Sequence, residues 1–410
     1  MRILINKDPY AVYLYTSFLS QLLFTFIFTV NLLYHVQVVK LDPLQLVLVG
    51  TVLELTVFLF EIPTGVLADV KSRKLSLVIG YFLIGIGFMI EGIFPLFAAV
   101  IFSQIAWGIG YTFTSGAQQA WIADEIGEER ASLAFIRGAK VGKLGQLIAI
   151  PLSILVGYYM INLPIIIGGF CMLGLAIYLL FFMEENNFKP LRSGKRVSTW
   201  KSMKGNMQKI VVYSKASFVM RMLLLIALFI GLYSEGFDRL WMTHFIDVSA
   251  LATFTNEQLV LFMGGLQLIV VLLSFTVLHF MNRSAIHLNL RHIYVALFIG
   301  SALIVTSLIG FAFSAFVVSL LVFYVLIQVT RQVMYPLEDI WLNKIIPDSS
   351  TRATFFSVKG QIDAIGQIGG GPIIGVIASR FAVKIAILVS ACFVMPVLYL
   401  YTVVLKKDKA

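Results

Sequence analysis

The chain of 410 residues is 59% hydrophobic and only 13% charged, with a mean hydropathy of +0.92 and a formal net charge of +10. Soluble domains carry about 25% charged residues, so this composition excludes a water-soluble globule built around one large core. The positive balance does not point to nucleic acid, because the Lys and Arg side chains lie in short segments between long apolar runs, where basic residues fix membrane topology.

The N-terminal Met-Arg-Ile-Leu-Ile-Asn-Lys leads into roughly 25 mostly apolar residues. A signal-peptide core is about 7–15 residues long, so this segment is expected to be retained as a first span. Twelve spans are predicted, near 10–36, 44–68, 74–94, 95–119, 132–160, 162–183, 218–246, 257–281, 290–312, 315–340, 353–379 and 382–405. Each is long enough to cross about 30 Å of hydrocarbon as a tilted helix. The runs are continuously apolar rather than alternating, which favours helices over a barrel. The expected fold class is an all-α polytopic membrane protein. Its expected division is a six-span segment 1–183, a linker 184–217 and a second six-span segment 218–410.

The linker holds Lys189, Arg192, Lys195, Arg196, Lys201, Lys204, Lys209 and Lys215 against Glu184 and Glu185. Such a basic excess belongs in the cytoplasm. Loops at 69–74, 124–130, 282–292 and 344–352 also carry Lys or Arg and fall on the same side if the spans alternate. With an even number of spans both termini join them, in agreement with Arg2, Lys7, Lys406, Lys407 and Lys409. Arg380 and Lys384 run against the trend. The expected location is the plasma membrane.

Ionisable groups at bilayer depth cost about 2.5 kcal/mol or more, so each needs a reason. Glu54 lies fifteen residues before Asp69, roughly 22 Å along a helix, near the middle of span 2. Glu61 lies two turns from Glu54 on the same face. Desolvation disfavours a charged carboxylate, so both acids are candidates to bind and release protons. Pro63 offers a structural alternative, in which Glu61 serves the backbone groups that the proline frees. In span 7, Glu235 and Arg239 are spaced for a helix-face ion pair, with Asp238 nearly on the same face. This is the leading candidate for substrate or proton coupling, with an interhelical structural pair as the alternative. Span 10 offers Gln328 and Arg331, the latter deep enough to hold an anion or pair with an acid, and Glu338 and Asp339 nearer the edge. Span 1 offers Asn31, with His35 read as an interfacial residue at the outer end. Span 11 concentrates Gly366, Gly369, Gly370, Gly371, Pro372 and Gly375, suiting either a bend or close helix packing.

Cys171 and Cys392 are isolated within apolar runs, and the five His residues at 35, 244, 279, 287 and 292 are scattered. No metal cluster or nucleotide-cradling loop is expected, hence no cofactor. The halves echo one another. Trp121, Arg130-Ala131-Ser132, Gly138 and Gly145-Gln146 recur as Trp341, Arg352-Ala353-Thr354, Gly360 and Gly366-Gln367, offset by 220 to 222 residues. A six-span repeat of one orientation implies two halves related by an axis along the membrane normal, with a cavity between them.

Residues 61–74 read Glu-Ile-Pro-Thr-Gly-Val-Leu-Ala-Asp-Val-Lys-Ser-Arg-Lys. Here the chain resembles the major facilitator superfamily, whose loop between spans 2 and 3 follows Gly-x-Leu-Ala-Asp-Arg-x-Gly-Arg-Lys. Gly65, Leu67, Ala68, Asp69, Arg73 and Lys74 match, whereas Val70 and Ser72 depart. The preceding Glu-Ile-Pro-Thr resembles bacterial drug:proton antiporter-like members, and Asp124 to Arg130 is similar to the acid-then-Arg element after span 4. Span 5 lacks that subgroup's Gly-Pro element, for which Gly142, Gly145 and Pro151 are a weak substitute. The resemblance implies two six-helix bundles working by alternating access, with spans 1, 4, 7 and 10 lining the cavity. It implies a cytoplasmic gating role for Asp69 and Arg73, with Asp124 and Arg130. The function expected is proton-coupled export of small organic compounds by a monomer whose partners are its substrate, protons and the bilayer. Proton-coupled import of a nutrient is the alternative, and a membrane-embedded enzyme a more distant one.

Overall fold

Inside lipid, backbone polar groups must be satisfied within the segment, and long apolar runs therefore close as helices. The structure, a computed structural model, describes residues 8–188, 218–283, 289–346 and 352–407, with positions 205 and 208. The expected linker lies almost wholly outside these residues, as do Arg2, Lys7 and Lys409.

The helices are α1 (Pro9–Gln37), α2 (Pro43–Val70), α3 (Arg73–Ile93), α4 (Phe97–Thr114), α5 (Ala117–Ile126), α6 (Glu128–Gly157) and α7 (Leu163–Phe182). After the linker come α8 (Phe218–Asp247), α9 (Asn256–Arg283), α10 (Leu290–Phe313), α11 (Val317–Ile345), α12 (Arg352–Arg380) and α13 (Val383–Lys407). Twelve spans among the described residues are long and apolar enough to cross a membrane, α4 and α5 together making the fourth.

Local chemistry sets the boundaries. The Asp8 carboxylate accepts from Ala11 N at 3.3 Å and Pro9 opens α1. The Ser72 hydroxyl accepts from Leu75 N at 2.9 Å and starts α3 two residues after α2 ends. The fourth span extends to Ile126, beyond the expected 119, and bends where Gly116 takes φ +71°. Gly127, at φ +82°, separates α5 from α6. These left-handed conformations suit glycine, which has no Cβ to clash. Much of the charged 124–130 segment expected as a loop is helical, because Glu128 and Glu129 occupy the first turn of α6, where the helix dipole favours acids.

The chain divides into two units. Unit 1 comprises 1–40, 52–203 and 255–264, and unit 2 comprises 41–51, 204–254 and 265–410. The start of α2 therefore groups with unit 2, and the start of α9 with unit 1. In unit 1, α1 packs on α6 and α7, and α3 on α4 and α7. In unit 2, α8 packs on α12 and α13, and α10 on α11 and α13. The pairing order is the same, spans 1, 3, 4, 5 and 6 matching spans 7, 9, 10, 11 and 12.

The sequence echoes occupy matching places in this pattern. Trp121 and Trp341 are both fully enclosed. A Cβ on Gly145 would come within 2.6 Å of the Phe18 carbonyl of α1, and one on Gly366 would collide with the Leu228 carbonyl of α8. Small residues are needed because the backbones approach this closely. Gly370 is likewise closed by Leu232, whereas Gly369 faces open space. Helix α12 continues through Pro372. In unit 2, Val47, Leu240, Ile374, Ala378 and Ala386 form one buried cluster.

Candidate functional site

Three helices of unit 2 converge on a polar cavity of about 390 Å³. Helix α8 contributes Ser234 and Asp238, α11 contributes Arg331, Tyr335, Glu338 and Asp339, and α12 contributes Lys359, Asp363 and Gln367. The Arg331 guanidinium grips Asp238 with both nitrogens: Nη1 bonds Oδ1, and Nη2 bonds Oδ2 at 2.8 Å. A two-pronged, charge-assisted pair of this kind fixes orientation as well as adding energy. The guanidinium also lies 5.8 Å from the Tyr233 ring centroid. Lys359 Nζ donates to Glu338 Oε2 at 2.8 Å and lies 3.9 Å from Asp339. Asp363 accepts from the Gln367 amide at 2.8 Å. The lining thus holds four acids and two bases, and both bases are engaged by acids.

The trio expected in span 7 separates into two pairs. Arg239 Nε donates to Glu235 Oε1 at 2.7 Å, while Asp238 turns to α11. Helix geometry explains the split: successive residues are about 100° apart, so Asp238 and Arg239 cannot share a face. Glu235 is buried against α2, where a Cβ on Gly50 would overlap its carboxylate. Gln328 lies one helical turn from Tyr324, whose ring centroid is 4.2 Å from that of Trp241.

In unit 1, Glu54 and Glu61 are half-buried on α2, and Tyr111 of α4 is within electrostatic reach of both. Next to Pro63, the Thr64 hydroxyl donates to Phe60 O at 2.8 Å. A second cavity of about 390 Å³, lined by Ser17, Gln21, Gln118, Gln119 and Lys143 among others, is almost free of charge.

Asn31 does not line either cavity. Its amide donates to Glu91 Oε1 at 2.6 Å. His35, expected at the interface, is fully buried, with Nε2 2.7 Å from the same oxygen. The Tyr34 hydroxyl donates to Glu91 O at 2.6 Å. Glu91 was missed in the sequence, although a lone acid in Phe-Met-Ile-Glu-Gly meets the same rule that singled out Glu54.

At the α2–α3 junction, Arg73 pairs with Asp69 and lies 3.8 Å from Asp124. The sequence reading counted Glu185 only in the charge balance of the linker and gave it no role at this junction. Its carboxylate accepts from Ser72 Oγ at 2.5 Å, Arg73 N at 2.5 Å and Lys74 N at 3.3 Å. That is an anion seated on the N-terminus of α3, where free N–H groups and the dipole favour it. Trp121 Nε1 donates to the neighbouring Glu184 O at 2.8 Å. Arg130 is exposed on α6, and a Cβ on Gly65 would touch nothing.

Comparison with known proteins fits this architecture. The family model described as Major Facilitator Superfamily matches residues 14–327. The uncharacterized MFS-type transporter YxaM of Bacillus subtilis (strain 168) is 28% identical over 379 residues, covering 89% of this chain and 88% of its own. The crystal structure of the nucleoside transporter NupG aligns with a TM-score of 0.73 at 15% identity, over 97% of this chain and 98% of that one. A POT family transporter in complex with a thioalcohol-conjugated peptide gives 0.70 at 14% identity, over 96% and 95%. At those identities the solved structures share the fold alone. With the family model matching most of its length, the chain belongs to the Major Facilitator Superfamily: it is a multi-pass membrane transporter and not an enzyme.

Proposed function

We propose that the chain is a proton-coupled secondary transporter that exports a small organic compound by alternating access. The observation that carries this reading is the charged cavity of unit 2, in which Arg331 holds Asp238 while, among the described residues, Asp363 has the neutral Gln367 amide as its hydrogen-bond partner. Ion pairs fix some acids as carboxylates; an acid without a cation of its own is free to trade a proton against substrate. Alternating access then exposes this site to one side at a time. Export rests on the resemblance of residues 61–74 to antiporter-like members. The excess of basic residues in the connecting segments supports a topology with both termini in the cytoplasm; a monomer in the plasma membrane is part of the same proposal.

A second reading is proton-driven uptake of a polar nutrient. The charged and amide lining of the unit 2 cavity favours it, because a lipophilic cargo would take water from those groups without offering hydrogen bonds in return. Everted membrane vesicles energised to an acidic lumen separate the two. An exported compound added outside collapses the gradient and accumulates inside. An imported one added outside leaves the gradient standing. Accumulation that persists after a protonophore has removed the gradient would refute proton coupling.

A further inference from the structure

A second set of titratable groups lies in unit 1, outside both cavities. Glu91 and His35 are each 0% exposed, and Asn31 is 4% exposed. Glu91 Oε1 receives the Asn31 amide at 2.6 Å and meets His35 Nε2 at 2.7 Å. The other side of each group is unpaired: among the described residues, Glu91 Oε2 and His35 Nδ1 are buried without a hydrogen-bond partner. From α1, the titratable neighbours are His35 and Tyr34, the latter committed to Glu91 O. From α7, the cap residue Asn162 offers an amide to Gly92 O at 3.0 Å. Helices α4 and α7, the other main neighbours of α3, contain no Asp, Glu, Lys, Arg or His in their 18 and 20 residues.

We propose that Glu91 and His35 form a proton-binding site in unit 1 that holds one exchangeable proton for transport, separately from the charged cavity of unit 2. Its role in transport rests on the proton-coupled reading; proton binding itself does not. Charge balance carries the argument. With one shared proton the pair is neutral overall, whether the proton sits on Nε2 or on Oε1. With none it is a bare carboxylate in an apolar enclosure, and with two a bare imidazolium. Either is costly here: among the described residues His35 is the one ion-pair partner of Glu91, and α6, which packs on α1, carries its last charged residue at Lys143, while its Gly157 end is the part that meets Val30. The proton therefore has one holding place, and it moves along the 2.7 Å Nε2···Oε1 contact. Oε2 and Nδ1, the two positions not engaged in a hydrogen bond, are those from which the proton can be passed on. Asn31 has a positioning role: its amide can only donate to Oε1 and so fixes the carboxylate without taking the proton.

Infrared spectroscopy of the purified full chain in detergent, titrated from about pH 5 to about pH 9, tests the assignment without a transport substrate. The wild-type spectrum should contain a titrating component, in the carboxylic acid C=O band or in the carboxylate bands, that Glu91→Gln removes and Asp363→Asn leaves in place. Glutamine keeps the acceptor for Asn31 and His35, so the fold should survive. His35→Gln should move the midpoint of that component by at least about one pH unit, a tenfold change in proton affinity. A spectrum unchanged in Glu91→Gln, or a midpoint unmoved in His35→Gln, overturns the proposal. In proteoliposomes, Glu91→Gln should also lower proton release on substrate addition; full proton release there overturns the transport role. If the wild type moves no protons with substrate, the functional reading fails while the spectral result still stands.

Discussion

The Asp238–Arg331 pair offers the sharpest separation of structural from functional roles. Arg331 keeps 12% and Asp238 37% of its side chain exposed, so the pair is neither sealed nor on the surface. Removing one partner of a fully buried pair costs about 3–5 kcal/mol, and an exposed pair contributes about 0–1 kcal/mol. Two charge-assisted hydrogen bonds in this intermediate setting place Asp238→Asn at about 2 kcal/mol. Arg331→Gln should cost a similar amount. The double variant leaves no unpaired charge and should recover about 1 kcal/mol or more as a coupling energy. Unfolding in mixed micelles, followed by circular dichroism, measures the stability side. Gradient-driven transport in vesicles measures the other, and there the double variant should recover nothing, because both groups line the cavity. Recovery of transport together with stability would show the pair to be a structural tie, and the reasoning would be wrong.

Other expectations follow from the same geometry. Glu185→Gln weakens an anion that accepts three hydrogen bonds at the start of α3, and should cost about 1 kcal/mol; hydrogen exchange at residues 73–75 should quicken, and unchanged protection would remove the anchor. Gly366→Ala drives a methyl group into the Leu228 carbonyl and should destabilise by about 1–3 kcal/mol. Gly369→Ala meets open space and should stay within about 0.5 kcal/mol of the wild type; equal effects of the two substitutions in thermal unfolding would contradict the packing. Lys359→Met leaves Glu338 buried without its cation and should cost about 2 kcal/mol, with part regained in Lys359→Met/Glu338→Gln.

The spans were legible because lipid restricts the backbone to few solutions, so apolar length alone located all twelve. The bend at Gly116 was not, since a glycine inside an apolar run reads equally well as helix until its φ is known. The 61–74 stretch announced Asp69 and Arg73 as motif residues, and in the structure they flank the α2–α3 junction and pair across it. It could not announce Glu185, which arrives from 112 positions away. Glu235 and Arg239 were paired correctly because residues four apart on one helix are neighbours. Asp238 found a partner 93 positions on, and Lys359 one on another helix. Burial of His35 was hidden for a related reason: its place near a span end suggested the interface, and only the fold brings Glu91 over it.

The most direct test of the central claim is proton movement driven by substrate. Everted vesicles with an acidic lumen would be challenged with a panel of polar organic compounds while lumenal pH is followed by a fluorescent dye. Wild-type vesicles should lose acidity on adding a transported compound, and Asp363→Asn vesicles should not. Equal proton release from both, or compound accumulation with no proton release from the wild type, would contradict the account.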